Sequence, residues 1–215
     1  MSEAGGHGKS VERVHEALRE KILSGAYAPG SRLILNRLAQ EHHVSLIPVR
    51  EALQRLEAER TVRIEPNRGA TVSEISVDDM RDIYETRLVL EDHAIRAAVS
   101  RISPSQLRAA EAALRRMRQR FRAGDEAAAY SAHERFHFSL YEASGSAWTV
   151  DLVRQLWLSA ERYVRLAASV RPDPDDFVAE HEQILAAVRA GDGDAAARCL
   201  ANNLRTTMRL LATAF

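Results

Sequence analysis

The sequence predicts a mainly α-helical protein, in which three helices and a β-hairpin precede an antiparallel bundle of about six helices. Turn residues divide the second half of the 215-residue chain into pieces of helix length. Arginine, a good helix former, supplies most of the positive charge. Two β-type runs enclose a turn segment between residues 60 and 73, and 46% hydrophobic residues suffice for a core.

The first part of the chain carries short elements. Apolar spacing predicts helices over 11–23, 36–42 and 47–59, and β-type runs at 61–64 and 70–72 enclose the turn at 65–69. Three helices followed by a hairpin is the order of a winged helix-turn-helix. We therefore expect a disordered tail over 1–9, a winged helix-turn-helix domain over 10–75 and a linker near 73–77.

The second part, residues 76–215, reads as one helical domain. Ser103 with Gln106, and Ser76 with Asp79, have the spacing of a capping box, which marks a helix start. Breaks of Gly, Pro and Asp separate six predicted helices at 77–101, 104–123, 126–143, 147–170, 175–190 and 194–213. Short connections favour an antiparallel bundle.

Composition excludes several protein classes. One cysteine cannot build a disulfide scaffold, no apolar run approaches the roughly 20 residues of a membrane span, and the first residues lack a signal peptide's apolar stretch. We expect a cytoplasmic protein. The formal net charge is zero, and residues 1–75 carry 11 basic and 10 acidic side chains. Nucleic-acid binding would therefore need a few arginines placed together.

The predicted third helix has the features of a recognition helix. Its buried stripe leaves Arg50 and Gln54 pointing away from the core, Ser45 fits the N-cap and Pro48 fits the first turn. Arg50 would then lie where a recognition helix meets bases or phosphates. The alternative is an ordinary solvated arginine.

Several segments resemble the DNA-binding domain of the GntR family of bacterial transcription regulators. They are 18–25, 28–33, 38–39, 44–45, 48–53 (Pro-Val-Arg-Glu-Ala-Leu), 55–57 and 68–72. The resemblance and the helix geometry together give the expected contacts with double-stranded operator DNA: Arg37, Ser45, Pro48, Arg50, Gln54, Arg68 and Gly69.

The sequence also departs from that family pattern. Leu46 and Ile47 stand where members often have Arg-Thr, and His43 and Arg60 replace two usual glycines. Since a polar base contact typically contributes about 1–3 kcal/mol of discrimination, we expect an operator unlike the common one.

Polar residues on the apolar stripes of the bundle are its candidate functional residues. Arg87 and Glu91 lie on one such stripe four residues apart, either as a buried ion pair or as a grip for an anionic effector. His133, His137 and His181 also face inward, and the first two are one helical turn apart, so both can reach one metal ion. Asn203 is placed inward on the last helix.

These residues resemble the FCD effector-binding domain of the FadR subfamily, in its shorter VanR-like branch. The matching features are Arg87-x-x-Leu90-Glu91, Phe136-His137-x-x-Leu140, Glu180-His181-x-x-Ile184-Leu185 and Gly193-Asp194-x-Ala196-Ala197. The resemblance implies a divalent metal, zinc or nickel, beside a pocket for a small carboxylate. By position His133 replaces the family's Asp, and Asn203 replaces its last His, which removes a charged ligand.

The sequence thus predicts a ligand-responsive transcription repressor rather than an enzyme. It would bind a pseudo-palindromic operator as a homodimer and sense a small organic acid. Two alternatives stay open: a helical metalloenzyme that uses the three histidines, and a dimeric DNA-binding protein with no effector.

Overall fold

A computed structural model describes residues 3–65, 69–171 and 174–213, with the backbone alone at 3–6 and 174. The chain divides into two compact units, Met1–Ser76 and Val77–Phe215. The described residues are mainly helical, with one small antiparallel sheet, so the predicted fold class is confirmed.

The first unit is a winged helix-turn-helix. Its elements are α1 (Glu3–Leu23), β1 (Arg32–Leu33), α2 (Leu35–His42), α3 (Leu46–Ala58), β2 (Val62–Glu65) and β3 (Gly69–Val72). The strand order is β1-β3-β2, and both pairings are antiparallel. The sequence predicted the hairpin but missed β1, because a two-residue strand is too short to show an alternating pattern.

Helix α1 extends further than expected. It includes residues 3–9, for which the sequence predicted a disordered tail. From residue 7 onward, the first buried side chain of the helix is Val11. The His7 imidazole lies 3.0 Å from a Glu51 carboxylate oxygen on α3, which gives the extension a contact beyond the core.

The core of this unit lies between α1, α3 and the sheet. Leu18 from α1, Val49 and Leu56 from α3, Leu33 from β1 and Val72 from β3 are buried in one apolar cluster. Burying one such side chain stabilises the fold by about 1.5–3 kcal/mol. Because this cluster takes the inner face of α3, the opposite face of that helix is left for solvent.

Among the residues that the structure describes, two that are not glycine adopt left-handed backbone. His43 ends α2 with φ 52° and donates its N–H to carbonyls of the last turn, and Arg60 follows α3 with φ 59°. These are the two positions where the family pattern has glycine. The fold keeps the backbone conformation that glycine favours, although the side chains differ.

The second unit is the expected helical bundle. Its described helices are α4 (Val77–Val99), α5 (Pro104–Arg122), α6 (Glu126–Tyr141), α7 (Ala147–Ser169), α8 (Pro174–Arg189) and α9 (Gly193–Ala212), and a 3₁₀ turn spans Glu142–Ser144. Ser103 and Gln106 form both bonds of the predicted capping box. Helices α5 and α6 pack together, and α9 packs against α4, α7 and α8.

None of the helices in the described part of the chain combines the length and hydropathy of a bilayer span.

Candidate functional site

Three of the seven predicted DNA contacts lie at the N-cap or on the exposed face of α3. Arg50 and Gln54 are exposed, four residues apart on one face. Ser45 is the N-cap residue of α3 but makes no capping hydrogen bond with its side chain, so its exposed hydroxyl can donate elsewhere. Arg37 is exposed on α2.

The other three residues predicted to contact DNA do not lie on an exposed helix face in the described part of the chain. Pro48 is buried in the first turn of α3, so its surface is not available to DNA and its part is to start the helix. Gly69 begins β3 opposite Glu65 with φ 85°, a backbone conformation that suits glycine. Arg68 lies outside the described residues.

In the bundle, Arg87 and Glu91 form an ion pair buried inside the unit. The Arg87 Nε donates to a Glu91 carboxylate oxygen at 2.6 Å, and the two side chains are 2% and 0% exposed. The guanidinium lies over the rings of Tyr84 and Trp157, at 4.9 and 4.7 Å from their centroids. Arg87 therefore does not reach the rim of the bundle.

One donor of this guanidinium has no partner among the described residues. The Arg87 Nη1 is buried without a hydrogen bond, and so is the Tyr84 hydroxyl. Burial opposes the charged form of Arg87, but the negative charge of Glu91 raises the Arg87 pKa overall. A charged, buried and incompletely paired guanidinium is suited to bind an anion.

The three predicted histidines meet at the centre of the bundle. One ring nitrogen from each of His133, His137 and His181 lies within 4.8 Å of the others, and all three side chains are buried. The rings of Trp157 and Phe177 pack against His133 at 5.2 and 5.0 Å between centroids. Helices α6 and α8 thus bring together three imidazole rings that the sequence separates by up to 48 positions.

Burial keeps these histidines neutral. Loss of solvent lowers the pKa of His133 and His137 well below its usual range, and neighbouring histidines and Arg87 lower it further. Burial also lowers the pKa of His181 to about 4. At neutral pH each ring therefore carries one proton and one lone pair, and the lone pair can bind a metal.

Hydrogen-bond partners determine which ring nitrogen carries the proton in His181 and in His137. His181 Nδ1 lies 2.6 Å from the Phe177 carbonyl oxygen, which only accepts, so Nδ1 donates. His137 Nδ1 lies 3.0 Å from the Tyr141 hydroxyl, which donates to Glu91. Since the tyrosine proton is used there, His137 Nδ1 must donate to the Tyr141 oxygen.

The two remaining nitrogens then face each other as lone pairs. The Nε2 atoms of His137 and His181 are 3.0 Å apart, and two unprotonated nitrogens repel at that distance unless a cation lies between them. With zinc–nitrogen bonds of about 2.0–2.1 Å, two histidines on one tetrahedral ion lie about 3.3 Å apart. The donor set therefore fits a divalent metal.

Asn203 occupies a different position in the network. It is buried on α9, as expected, but its amide nitrogen donates to a Glu180 carboxylate oxygen at 2.7 Å. The other oxygen of Glu180 accepts from Arg171 at 3.2 Å. This bond links α8 and α9 through the amide nitrogen, and metal ligation by Asn203 stays a prediction from the family pattern.

The sequence analysis missed Tyr141 and Trp157. Tyr141 stands one turn after His137 on α6, a spacing that could have shown it as that residue's hydrogen-bond partner. Trp157 lies on α7, and no spacing rule connects it with α4 or α6. It packs against Arg87, His133 and His137, so it forms a wall shared by the ion pair and the histidines.

Comparison with known families identifies both units. The family model for "Bacterial regulatory proteins, gntR family" matches residues 10–72, and the FCD domain model matches residues 82–206, more than half of the chain. The chain belongs to the GntR family of FCD-containing regulators. The resemblance to the GntR and FCD families inferred from its motifs is confirmed, whereas the VanR-like branch stays a prediction.

Relatives of this GntR regulator match over nearly its whole length. It is 31% identical over 209 residues to the uncharacterized HTH-type transcriptional regulator BphR of Paraburkholderia xenovorans, a match that covers 94% of this chain and 84% of the relative. It is 27% identical over 201 residues to the HTH-type transcriptional regulator McbR of Escherichia coli, with 93% and 91% covered.

Solved structures agree with this assignment. The structure of E. coli McbR/YncC matches with a TM-score of 0.80 at 26% identity, over 95% of this chain and 97% of that one. A GntR regulator from Rhodococcus matches with a TM-score of 0.78 at 27% identity, over 95% and 98% of the chains. These families and relatives are transcription regulators and not enzymes, which decides against the metalloenzyme alternative.

Proposed function

We propose that this GntR regulator is a repressor that binds a pseudo-palindromic operator as a homodimer and releases it when a small organic acid enters the helical unit. One observation carries the effector part of the proposal. Arg87 presents a buried guanidinium nitrogen with no partner among the described residues, beside a cluster of three metal-binding side chains. Leaving a buried charged donor unpaired costs about 1–3 kcal/mol or more, which a bound anion would recover.

The metal site proposed here consists of His133, His137 and His181, with zinc or nickel as the ion. Three neutral imidazoles suit either metal, and the facing Nε2 lone pairs support a bound cation. When bound, the metal supplies a positive charge and an open coordination position for an anionic ligand. Asn203 is better assigned to orienting Glu180 than to this ligand set.

The effector pocket would lie between the ion pair and the histidines. Trp157 contacts both Arg87 and His137, so its indole ring connects the two groups to which we assign the ligand. A carboxylate provides two oxygens, one for the guanidinium and one for a metal ion held by the histidines. Glu91 keeps the guanidinium oriented, since it holds the Nε while leaving Nη1 available.

The DNA-binding part of the proposal assigns contacts to the exposed side chains of the first unit, chiefly Arg37, Ser45, Arg50 and Gln54. Because the unit carries almost no excess positive charge, we expect weak binding per monomer and a modest salt dependence. Two half-sites bound by a dimer would supply the missing affinity.

The dimer is supported by an exposed apolar pair. Trp148 and Leu152 stand one turn apart on α7 and are 82% and 44% exposed. Large exposed apolar side chains are typical of interaction surfaces. Replacing both with serine should shift the protein toward the monomer in sedimentation velocity, whereas replacing exposed Val170 with serine should not.

Regulation needs only a modest coupling free energy. A difference of about 1–3 kcal/mol in effector affinity between the DNA-competent and released states changes operator affinity about 5–150-fold. Since repression acts on chromosomal DNA, we place the protein in the cytoplasm as part of this proposal.

A ligand screen with and without metal tests the proposed function. Thermal-shift assays with a panel of small carboxylates should reveal a stabilising ligand in the zinc- or nickel-loaded protein. That ligand should also weaken operator binding in an anisotropy assay. Purified protein that takes up no metal, gains no stability from any carboxylate and keeps constant DNA affinity would instead support the effector-independent alternative.

A matched double variant tests the role of Arg87. Removing Arg87 alone would leave Glu91 as an unpaired buried charge, which destabilises a protein by about 3–5 kcal/mol. Arg87→Met combined with Glu91→Gln removes both charges and should preserve the fold. We expect it to lose the carboxylate response and to keep DNA binding; an unchanged response would exclude Arg87 from the pocket.

A further inference from the structure

The first turn of the recognition helix exposes two large apolar side chains. Leu46 and Ile47 are the first two residues of α3, and they are 37% and 59% exposed. The buried stripe of the helix starts after them, at Pro48 and Val49. The core of this unit therefore does not account for either side chain.

Their neighbours place these side chains on the face assigned to DNA. Arg50 follows Ile47 by three residues and Leu46 by four, so all three lie on adjoining parts of the α3 surface. Gln54 continues the same face one turn later and is also exposed. The surface thus begins with two apolar side chains and continues with a cation and an amide.

A recognition helix enters the major groove with its N-terminal residues against the base edges. Leucine and isoleucine can neither donate nor accept a hydrogen bond, so against a G·C edge they would leave polar base atoms without partners. The apolar group that the major groove offers is the C5 methyl of thymine. Apolar side chains at this position therefore favour thymine.

We propose that Ile47 and Leu46 read thymine methyl groups in the major groove of each operator half-site. Arg50 and Gln54 supply the neighbouring polar contacts. This inference rests on operator binding by the first unit, and it adds which chemical group on the DNA is recognised by which side chains. It predicts an operator with thymine at one or two fixed positions in each half-site.

Uracil substitution tests the inference, because uracil pairs like thymine but lacks the methyl group. The full chain is first used to select high-affinity duplexes from a random library. Each thymine of the selected half-site is then replaced by uracil, and dissociation constants are measured by fluorescence anisotropy. We expect about a fourfold loss for each methyl contacted by the wild-type protein, the effect of about one buried CH₂ group.

The variants connect that loss to the named side chains. In Ile47→Ala or Leu46→Ala the uracil effect at one thymine position should disappear, because the methyl no longer has a partner. Val89→Ala, which shortens a 71%-exposed apolar side chain on α4, should keep the full uracil effect. A duplex in which cytosine replaces that thymine should bind the wild-type protein more weakly. Using 5-methylcytosine there instead of cytosine restores a methyl group and should recover part of the lost affinity. The variant that no longer contacts the methyl should show no such recovery.

Other outcomes would overturn the proposal. Wild-type binding that is insensitive to uracil at every position would show that no methyl group is read. Uracil losses of equal size in the wild type, Ile47→Ala and Leu46→Ala would show that other side chains contact the methyl groups. A change of oligomeric state in Ile47→Ala with unaltered uracil losses would assign the patch to contacts between copies. If no duplex is enriched at all, operator recognition itself fails; enrichment without uracil sensitivity refutes only this inference.

Discussion

Replacing Tyr141 with phenylalanine should weaken metal binding without removing a metal ligand. The Tyr141 hydroxyl is fully buried, accepts from His137 Nδ1 at 3.0 Å and donates to Glu91. Phenylalanine keeps the ring but leaves the His137 N–H without an acceptor, a penalty of about 1–3 kcal/mol for a buried donor. The His137 imidazole also loses the hydrogen-bond partner that fixes its tautomer and its orientation.

The expected magnitude follows from these contacts. Hydrogen-bond partners behind a metal-bound histidine typically account for about 10–100-fold in metal affinity. That range corresponds to about 1.4–2.8 kcal/mol, which agrees with the penalty for one unpaired donor. We therefore expect the zinc or nickel dissociation constant of Tyr141→Phe to rise about 10–100-fold, with the metal still bound at high concentration.

Competition with a chromophoric chelator measures this constant directly. Tyr130→Phe is a matched control on the same helix, because Tyr130 packs against Phe121 and Arg165 rather than against the histidines. His137→Ala, which removes a ligand, should lose far more affinity than Tyr141→Phe. Equal metal affinity in Tyr141→Phe and the wild-type protein, with both folded by circular dichroism, would refute the proposed role of the tyrosine.

Three further predictions concern stability and DNA binding. Arg60→Gly should stabilise the first unit by about 1 kcal/mol in urea unfolding, because glycine adopts φ 59° without strain, whereas glycine at Arg63, within β2, should destabilise it. Ser103→Ala should lower the melting temperature of the helical unit by about 4 °C, since it removes the capping bond from the Gln106 N–H to the Ser103 hydroxyl and with it about 1 kcal/mol; no change would mean the cap contributes little. Arg50→Ala should weaken operator binding about 10–100-fold in gel-shift titrations, while Arg55→Ala, whose side chain pairs with Glu12, should bind like the wild type; equal losses would indicate a general charge effect.

The helices were predictable because each carries its own local signals. Helix α5 begins at Ser103-Pro104 and ends before Gly124. These residues set the two ends of the helix regardless of what packs against it. β1 shows the opposite case. It consists of two residues, pairs with β3 residues that lie 37 and 39 positions later, and exists only because the hairpin folds against it.

The candidate metal site was predictable in part. Helical spacing was enough to place His133 and His137 on one inward face, because residues four apart share a face of any helix. The same rule placed Asn203 inward but not its partner, Glu180 on α8. Whether an inward residue ligates a metal or bonds a neighbour depends on distances between helices.

By itself the sequence determined the fold class, the family and the inward or outward direction of most functional side chains, since these depend on local turns, periodicity and motifs. Only the tertiary structure decided which atoms meet. Packing of α4, α6, α7 and α8 turned Arg87 and Glu91 into a buried pair with one unpartnered donor and brought two histidine lone pairs to 3.0 Å. Packing of the first unit likewise buried Pro48 while leaving Leu46 and Ile47 exposed, because the core reaches only the inner face of α3.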